Sequence, residues 1–138
     1  MRILYTDGSA SPNPGPGGFA VIENSQPIAL GAESPSTNIR MEGLALKKAL
    51  EILDGEAGAI RTDSEFWINV LTKWTQRKKK KKEKKTKGEI ANLDIVKPLF
   101  ELYEGSNVKL QWLKGHNGHE FNEMADEWAN KARAGETL

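Results

Sequence analysis

Four carboxylates stand where a chain could bring them together. Asp7 closes a short apolar run, Ile3-Leu4-Tyr5, and Asp63 follows a second one, Ala57 to Thr62. Glu42 falls in the first turns of an amphipathic stretch, and Asp126 lies three residues after Glu123 and four after Asn122, so those three share a helical face. If the two apolar runs are neighbouring strands, Asp7 and Asp63 leave one sheet edge side by side. Carboxylates gathered there repel one another unless a cation neutralises them. Hard oxygen ligands, with no cysteine and no helical histidine pair, point to Mg²⁺ or Mn²⁺ rather than zinc. Each acid has an ordinary reading as well: Asp63 as a helix cap, Glu42 as a partner of a helix N-terminus, Asp126 as surface charge.

The elements that would carry these acids are legible in outline. Ile3 to Asp7 reads as a buried strand ending near Asp7, and Gly8 to Gly18, with three Pro and four Gly, reads as a loop. Phe19 to Glu23 is a second strand, and Asn24-Ser25-Gln26 turns it into an antiparallel third, around Pro27 to Ala32. A helix follows with Asn38 as its N-cap, apolar positions at Met41, Leu44, Ala45, Ala49, Ile52 and Leu53, and Gly55 as its C-cap. Ala57 to Thr62 is a fourth strand. Phe66, Val70, Leu71 and Trp74 mark a second helix, which a basic run interrupts and Gly88 breaks. A third helix covers about Asn92 to Tyr103, with Pro98 as a kink or a split, and Val108 to Leu113 is a fifth strand. Phe121, Met124, Ala125, Trp128, Ala129 and Ala132 line one face of a last helix. Three strands on short turns, then strands alternating with helices, imply an α/β fold with a five-stranded mixed sheet flanked by helices.

A length of 138 residues suits one domain, and no apolar run approaches the ~20 residues of a membrane span. The amino terminus lacks a secretory pattern, so the expectation is a soluble cytoplasmic protein without membrane contact. Absence of cysteine excludes disulfides, zinc–thiolate sites and thiol nucleophiles. The net charge of +1 conceals an asymmetry: residues 73–88 hold ten Lys/Arg and one acid, a local +9, which leaves −8 on the other 122 residues. Such a segment suits contact with a polyanion or, equally, a solvated loop.

Several motifs carry a resemblance. Tyr5-Thr6-Asp7-Gly8-Ser9 with Asn13-Pro14-Gly15-Pro16-Gly17-Gly18-Phe19, then Thr37-Asn38-Ile39-Arg40-Met41-Glu42 and Thr62-Asp63-Ser64, resemble in order the motifs of type 1 ribonuclease H. Leu113-Lys114-Gly115-His116-Asn117-Gly118-His119, followed by Asn122-Glu123-Met124-Ala125-Asp126, resembles the family's last motif. The resemblance implies the RNase H-like fold and cleavage of the RNA strand of RNA/DNA hybrids by a two-metal mechanism, leaving 5′-phosphate and 3′-hydroxyl ends. By the family's pattern Asp7, Glu42, Asp63 and Asp126 would hold two Mg²⁺ ions, with Mn²⁺ as an alternative. His116 would assist proton transfer or product departure, and Glu123 would be an acid near its loop. Contacts to the hybrid are implied for Gly8, Ser9, Asn13, Gly15, Thr37, Asn38, Met41 and Trp74. The basic protrusion, or handle, at about 75–90 would add Lys79, Lys80 and Lys81. One catalytic domain spanning residues 1–138 and acting as a monomer is the expectation. Two rivals remain: another nuclease or recombinase of the same fold, and a non-catalytic hybrid-binding module.

Overall fold

The computed structural model describes residues 2–79, 92–113 and 120–138, without the side chains of 73–79 and 120–122. Five strands, β1 (Arg2–Ala10), β2 (Gly15–Glu23), β3 (Gln26–Ser36), β4 (Gly58–Thr62) and β5 (Val108–Trp112), form one sheet in the order β3-β2-β1-β4-β5. The helices among the described residues are α1 (Asn38–Leu53), α2 (Glu65–Lys79), α3 (Leu93–Glu104) and α4 (Glu120–Arg133). β1–β2 and β2–β3 are antiparallel; β1–β4 and β4–β5 are parallel. The expected mixed sheet is therefore present, with β1 at its centre.

The two-residue turn between β2 and β3 consists of Asn24 and Ser25, both left-handed at φ 52° and 62°, which matches the twist of an antiparallel pair. Side chains alternate across β2. Val21 packs with Leu4, Leu46, Leu50, Leu53, Ile60 and Trp67 on the α1 side, while Ala20 and Ile22 pack with Ala125 and Ala129 of α4 on the other. Two hydrophobic layers thus sandwich the first three strands.

The strands outrun the sequence reading. β1 continues through Gly8, Ser9 and Ala10, and β2 begins at Gly15, so only four residues of the glycine- and proline-rich stretch form the connection. Glycines in these strands mark close helix contacts rather than a loop. A methyl group at Gly8 would overlap the Met41–Glu42 backbone of α1, and one at Gly18 would overlap Arg133 and Ala129 of α4. β3 likewise extends beyond Ala32 to Ser36.

Two caps also shift by one residue. Thr37, not Asn38, caps α1, its Oγ1 accepting from the Arg40 N–H at 3.1 Å, and Asp54 rather than Gly55 is the left-handed C-cap at φ 42°. Pro98 is accommodated inside a single α3. α2 runs helically to Lys79, into the start of the basic run. No helix among the described residues is long and apolar enough to cross a membrane.

Candidate active site

Asp7 sits on the central strand, paired with Ala20 of β2, and is 5% exposed. Its neighbour Gly8 lets α1 pass directly over β1, which carries Glu42 to the Asp7 side chain. Parallel pairing of β1 with β4, in register Tyr5↔Arg61, then delivers Asp63 from the end of β4. Asp7, Glu42 and Asp63 each offer a carboxylate oxygen within 4.8 Å of the others. Asp126 arrives from α4, docked on the opposite sheet face, and its carboxyl hydrogen-bonds to Asp7. The structure thus gathers three acids into one group and sets the fourth against Asp7.

Burial dominates the electrostatics. It pushes the Asp7 carboxyl up to about 9, the charges of Asp63 and Asp126 act in the same sense, and the Gly8 N–H opposes them. Burial also raises Glu42, to about 7; a hydrogen bond from Ser64 lowers it and the Asp63 charge raises it. Left to themselves, these groups retain protons near neutrality. A divalent cation can replace those protons, and three convergent hard oxygens make a donor set that fits Mg²⁺ or Mn²⁺.

Ser64 escaped the sequence reading as a functional position. It is 4% exposed, bonds to Glu42, and accepts from the Trp67 N–H at 3.4 Å, so it, rather than Asp63, caps α2. Its signal was a serine at N-cap spacing, hidden behind the adjacent aspartate. Trp112, half exposed, donates its indole N–H to the Asp63 carbonyl at 3.2 Å and braces the same turn.

Flanking residues divide by what they touch. The Asn38 side-chain oxygen accepts from the Ala10 N–H at 2.7 Å, and the Asn13 side-chain oxygen accepts from the Asn38 N–H at 3.1 Å. Both amide acceptors are consumed locally, which turns the two NH₂ groups into the available donors. Ser9 donates its hydroxyl to Asn130 Oδ1 at 2.9 Å, a contact one turn beyond Asp126. Met41 is wholly buried, its sulfur accepting from Ser36 Oγ at 2.9 Å, so its side chain packs inward. Gly8 is occupied in the β1–α1 crossing, and Gly15 begins β2 against Pro12. Glu123 is exposed on α4. His116, Lys80 and Lys81 lie outside the described residues, as do the side chains of Trp74 and Lys79 on α2.

Sheet order and acidic edge together define an α/β protein whose clustered carboxylates suit a divalent cation. The sequence profile of the RNase H family matches residues 1–134. A ribonuclease H of Syntrophomonas wolfei is 39% identical over 138 residues, covering 94% of each chain. One from Francisella philomiragia is also 39% identical, covering 96% of this chain and 90% of the relative. The chain therefore belongs to the RNase H family, and the enzyme is a hydrolase. Solved structures agree on the fold. RNase H1 of the archaeon Halobacterium salinarum superposes with a TM-score of 0.70 at 23% identity, covering 95% of this chain and 96% of that one. LC9-RNase H1, a type 1 enzyme with a type 2 active-site motif, superposes at 0.77 with 22% identity, covering 99% and 74%.

Proposed function

We propose that this chain hydrolyses the RNA strand of RNA/DNA hybrids, leaving 5′-phosphate and 3′-hydroxyl ends, with Asp7, Glu42, Asp63 and Asp126 holding two divalent ions. The observation that carries this reading is the convergence of three carboxylates from β1, α1 and the end of β4 within 4.8 Å. When bound, such ions, Mg²⁺ or Mn²⁺, activate water and stabilise charge on phosphoryl oxygens. The chain's own residues do the positioning. Ser64 donates to Glu42 and favours its charged form, partly offsetting the burial that raises it to about 7. Asp7 is carried by the central strand, two residues beyond its pairing with β4 and opposite Ala20 of β2. His116 is proposed to assist proton transfer or product departure, with Glu123 as an acid near its loop.

Recognition follows from the same edge. The NH₂ groups of Asn13 and Asn38 can donate to minor-groove base acceptors or ribose 2′-oxygens, and the 2′-hydroxyl distinguishes RNA from DNA. Thr37, Ser9 and the backbone near Gly15 extend this surface, with Trp74, Lys79, Lys80 and Lys81 on the DNA side. We assign residues 1–138 to one catalytic domain with a basic protrusion at about 75–90, acting as a cytoplasmic monomer. Labelled RNA/DNA hybrid, double-stranded RNA and double-stranded DNA, each incubated with the enzyme in Mg²⁺, test the reading. Cleavage confined to the RNA of the hybrid is expected; equal cleavage of duplex DNA would refute it.

A further inference from the structure

Arg133 ends α4 with most of its guanidinium unclaimed. Its Nη2 donates to Asn130 Oδ1 at 3.3 Å, and its Nε is buried without a hydrogen-bond partner. Even that one acceptor is shared, since the Ser9 hydroxyl donates to Asn130 Oδ1 at 2.9 Å. The other described arginines are taken up: Arg2 forks onto Glu23, Arg40 reaches Glu33 and Asp94, and Arg61 reaches Tyr5 and Gln111. Lys131, two residues before Arg133, pairs with Glu127 and lies over the Trp128 ring. Among the described residues no carboxylate pairs with Arg133. A cation at a helix C-terminus is favourable in itself. That interaction leaves N–H groups unfilled, however, and buried unfilled donors are rare in folded chains.

Position gives those donors a use. Asp7 meets Asp126 and Ser9 meets Asn130, so β1 and α4 leave the acids in the same direction. Ser9 stands two residues beyond Asp7 on the same face of β1, about 7 Å further along. Asn130 follows Asp126 by roughly one helical turn, and Arg133 lies about 10 Å past Asp126 along the axis. At Gly18, the β2 partner of Ser9, a methyl group would strike the Arg133 backbone, so the end of α4 is seated on the sheet. The Asn130 oxygen being taken, its NH₂ group is a second donor at the same spot. The seam therefore holds carboxylates at one end and unfilled donors at the other. The first can take a phosphate only through a cation; the second can take one directly.

We propose that Arg133, with the Asn130 NH₂ group beside it, binds a phosphate of the RNA strand close to the cut but not at it. The inference rests on the reading of the acids as the place where that strand is hydrolysed. Both residues lie beyond the last sequence motif, which ends at Asp126. A strand that presents one phosphate at the acids carries its neighbours along the seam, where the planar guanidinium can grip one through two N–H groups. The contact is to the RNA rather than the DNA because it continues directly from the carboxylates.

Hybrid binding in Ca²⁺ over a salt series, with steady-state cleavage in Mg²⁺, tests this on wild type, Arg133→Gln and Arg133→Met. Both variants keep the side-chain stem at the last residue of α4, so either should fold. One lost contact should flatten the slope of log K against log salt by roughly 0.9. KM should rise about 5-fold with kcat within about 2-fold, the signature of lost uniform binding. The phosphate is then located with hybrids carrying one neutral methylphosphonate linkage, a 2′-O-methyl ribose placed 5′ to it, against the same strand with the ordinary linkage. One RNA-strand linkage beside the cut should weaken wild-type binding about 5-fold and cost the variants almost nothing, since both changes remove the same contact. A wild-type salt slope in the variants, with only the melting temperature lowered, would mean that Arg133 serves the helix end alone and overturns the proposal. Additive losses at every RNA linkage, or coupling to a DNA-strand linkage instead, overturn it as well. If wild type neither binds nor cuts the hybrid, the reading of the acids fails and takes this contact with it; if wild type cuts and the variants match it, only the contact fails.

Discussion

Asp7 holds its proton well above the ordinary carboxylate range because burial and two acidic neighbours disfavour its charge. The folded chain therefore binds more protons than the unfolded chain between about pH 4 and about pH 9, and metal-free stability should fall as pH rises through that window. Asp7→Asn removes the titrating group. It should abolish cleavage, raise the melting temperature in EDTA at neutral pH, and flatten its decline with pH; a variant that still turns over in Mg²⁺ counts against the assignment. Ser64→Ala deprives Glu42 of its donor and α2 of its cap. A loss of about 1 kcal/mol is expected from the cap alone, and a Mg²⁺ titration of cleavage should shift to higher concentration; an unmoved titration would show that Ser64 only caps. At this scale the acids were readable from their flanking motifs, although Asp7 lies inside β1 and Asp126 inside α4 rather than at an end. Ser64 was not, since Asp63 beside it is an equally good cap by type. Thr37 and Asn38 posed the same ambiguity, and a long-range contact resolved it: the Asn38 oxygen is taken by the Ala10 N–H.

Elements, rather than single side chains, set how close Glu42 comes to Asp7. The crossing of α1 over β1 depends on an absent side chain at Gly8. Gly8→Ala should push the helix away, at about 1–3 kcal/mol for an overpacked site, and should lower cleavage more than it lowers binding. Urea unfolding with parallel kinetics checks this; a variant with wild-type stability and rate would show that α1 has room to spare. The alternating elements and their order were legible from apolar periodicity and turn residues. The ends of β1 and β2 were not, because glycine signals a turn locally but here serves a contact with helices distant in sequence. The partnership of β1 with β4 was inferable from two buried runs. The bracing of β3 by Arg40 through Glu33 depends on side chains 7 residues apart in sequence and could not be read from pattern.

For the molecule as a whole, charge is split between an acidic body and one basic segment. Ca²⁺ takes oxygen ligands at longer distances and in looser geometry than Mg²⁺. It should therefore support hybrid binding without hydrolysis, as a gel-shift and a cleavage assay on the same samples would register; brisk cutting in Ca²⁺ alone would sink the proposed mechanism. The four acids lie on β1, α1, the β4 exit and α4, so the outermost two are separated by 119 positions in the chain. No fragment that lacks either end holds all four of the proposed acids. Asp7 is on the strand whose neighbours hydrogen-bond it on both sides, and such strands open only when the whole domain does. On the proposed four-acid site, a hydrolase built this way should have no half-folded form able to cut: it should stay silent until α4 docks and lose activity as the fold is lost.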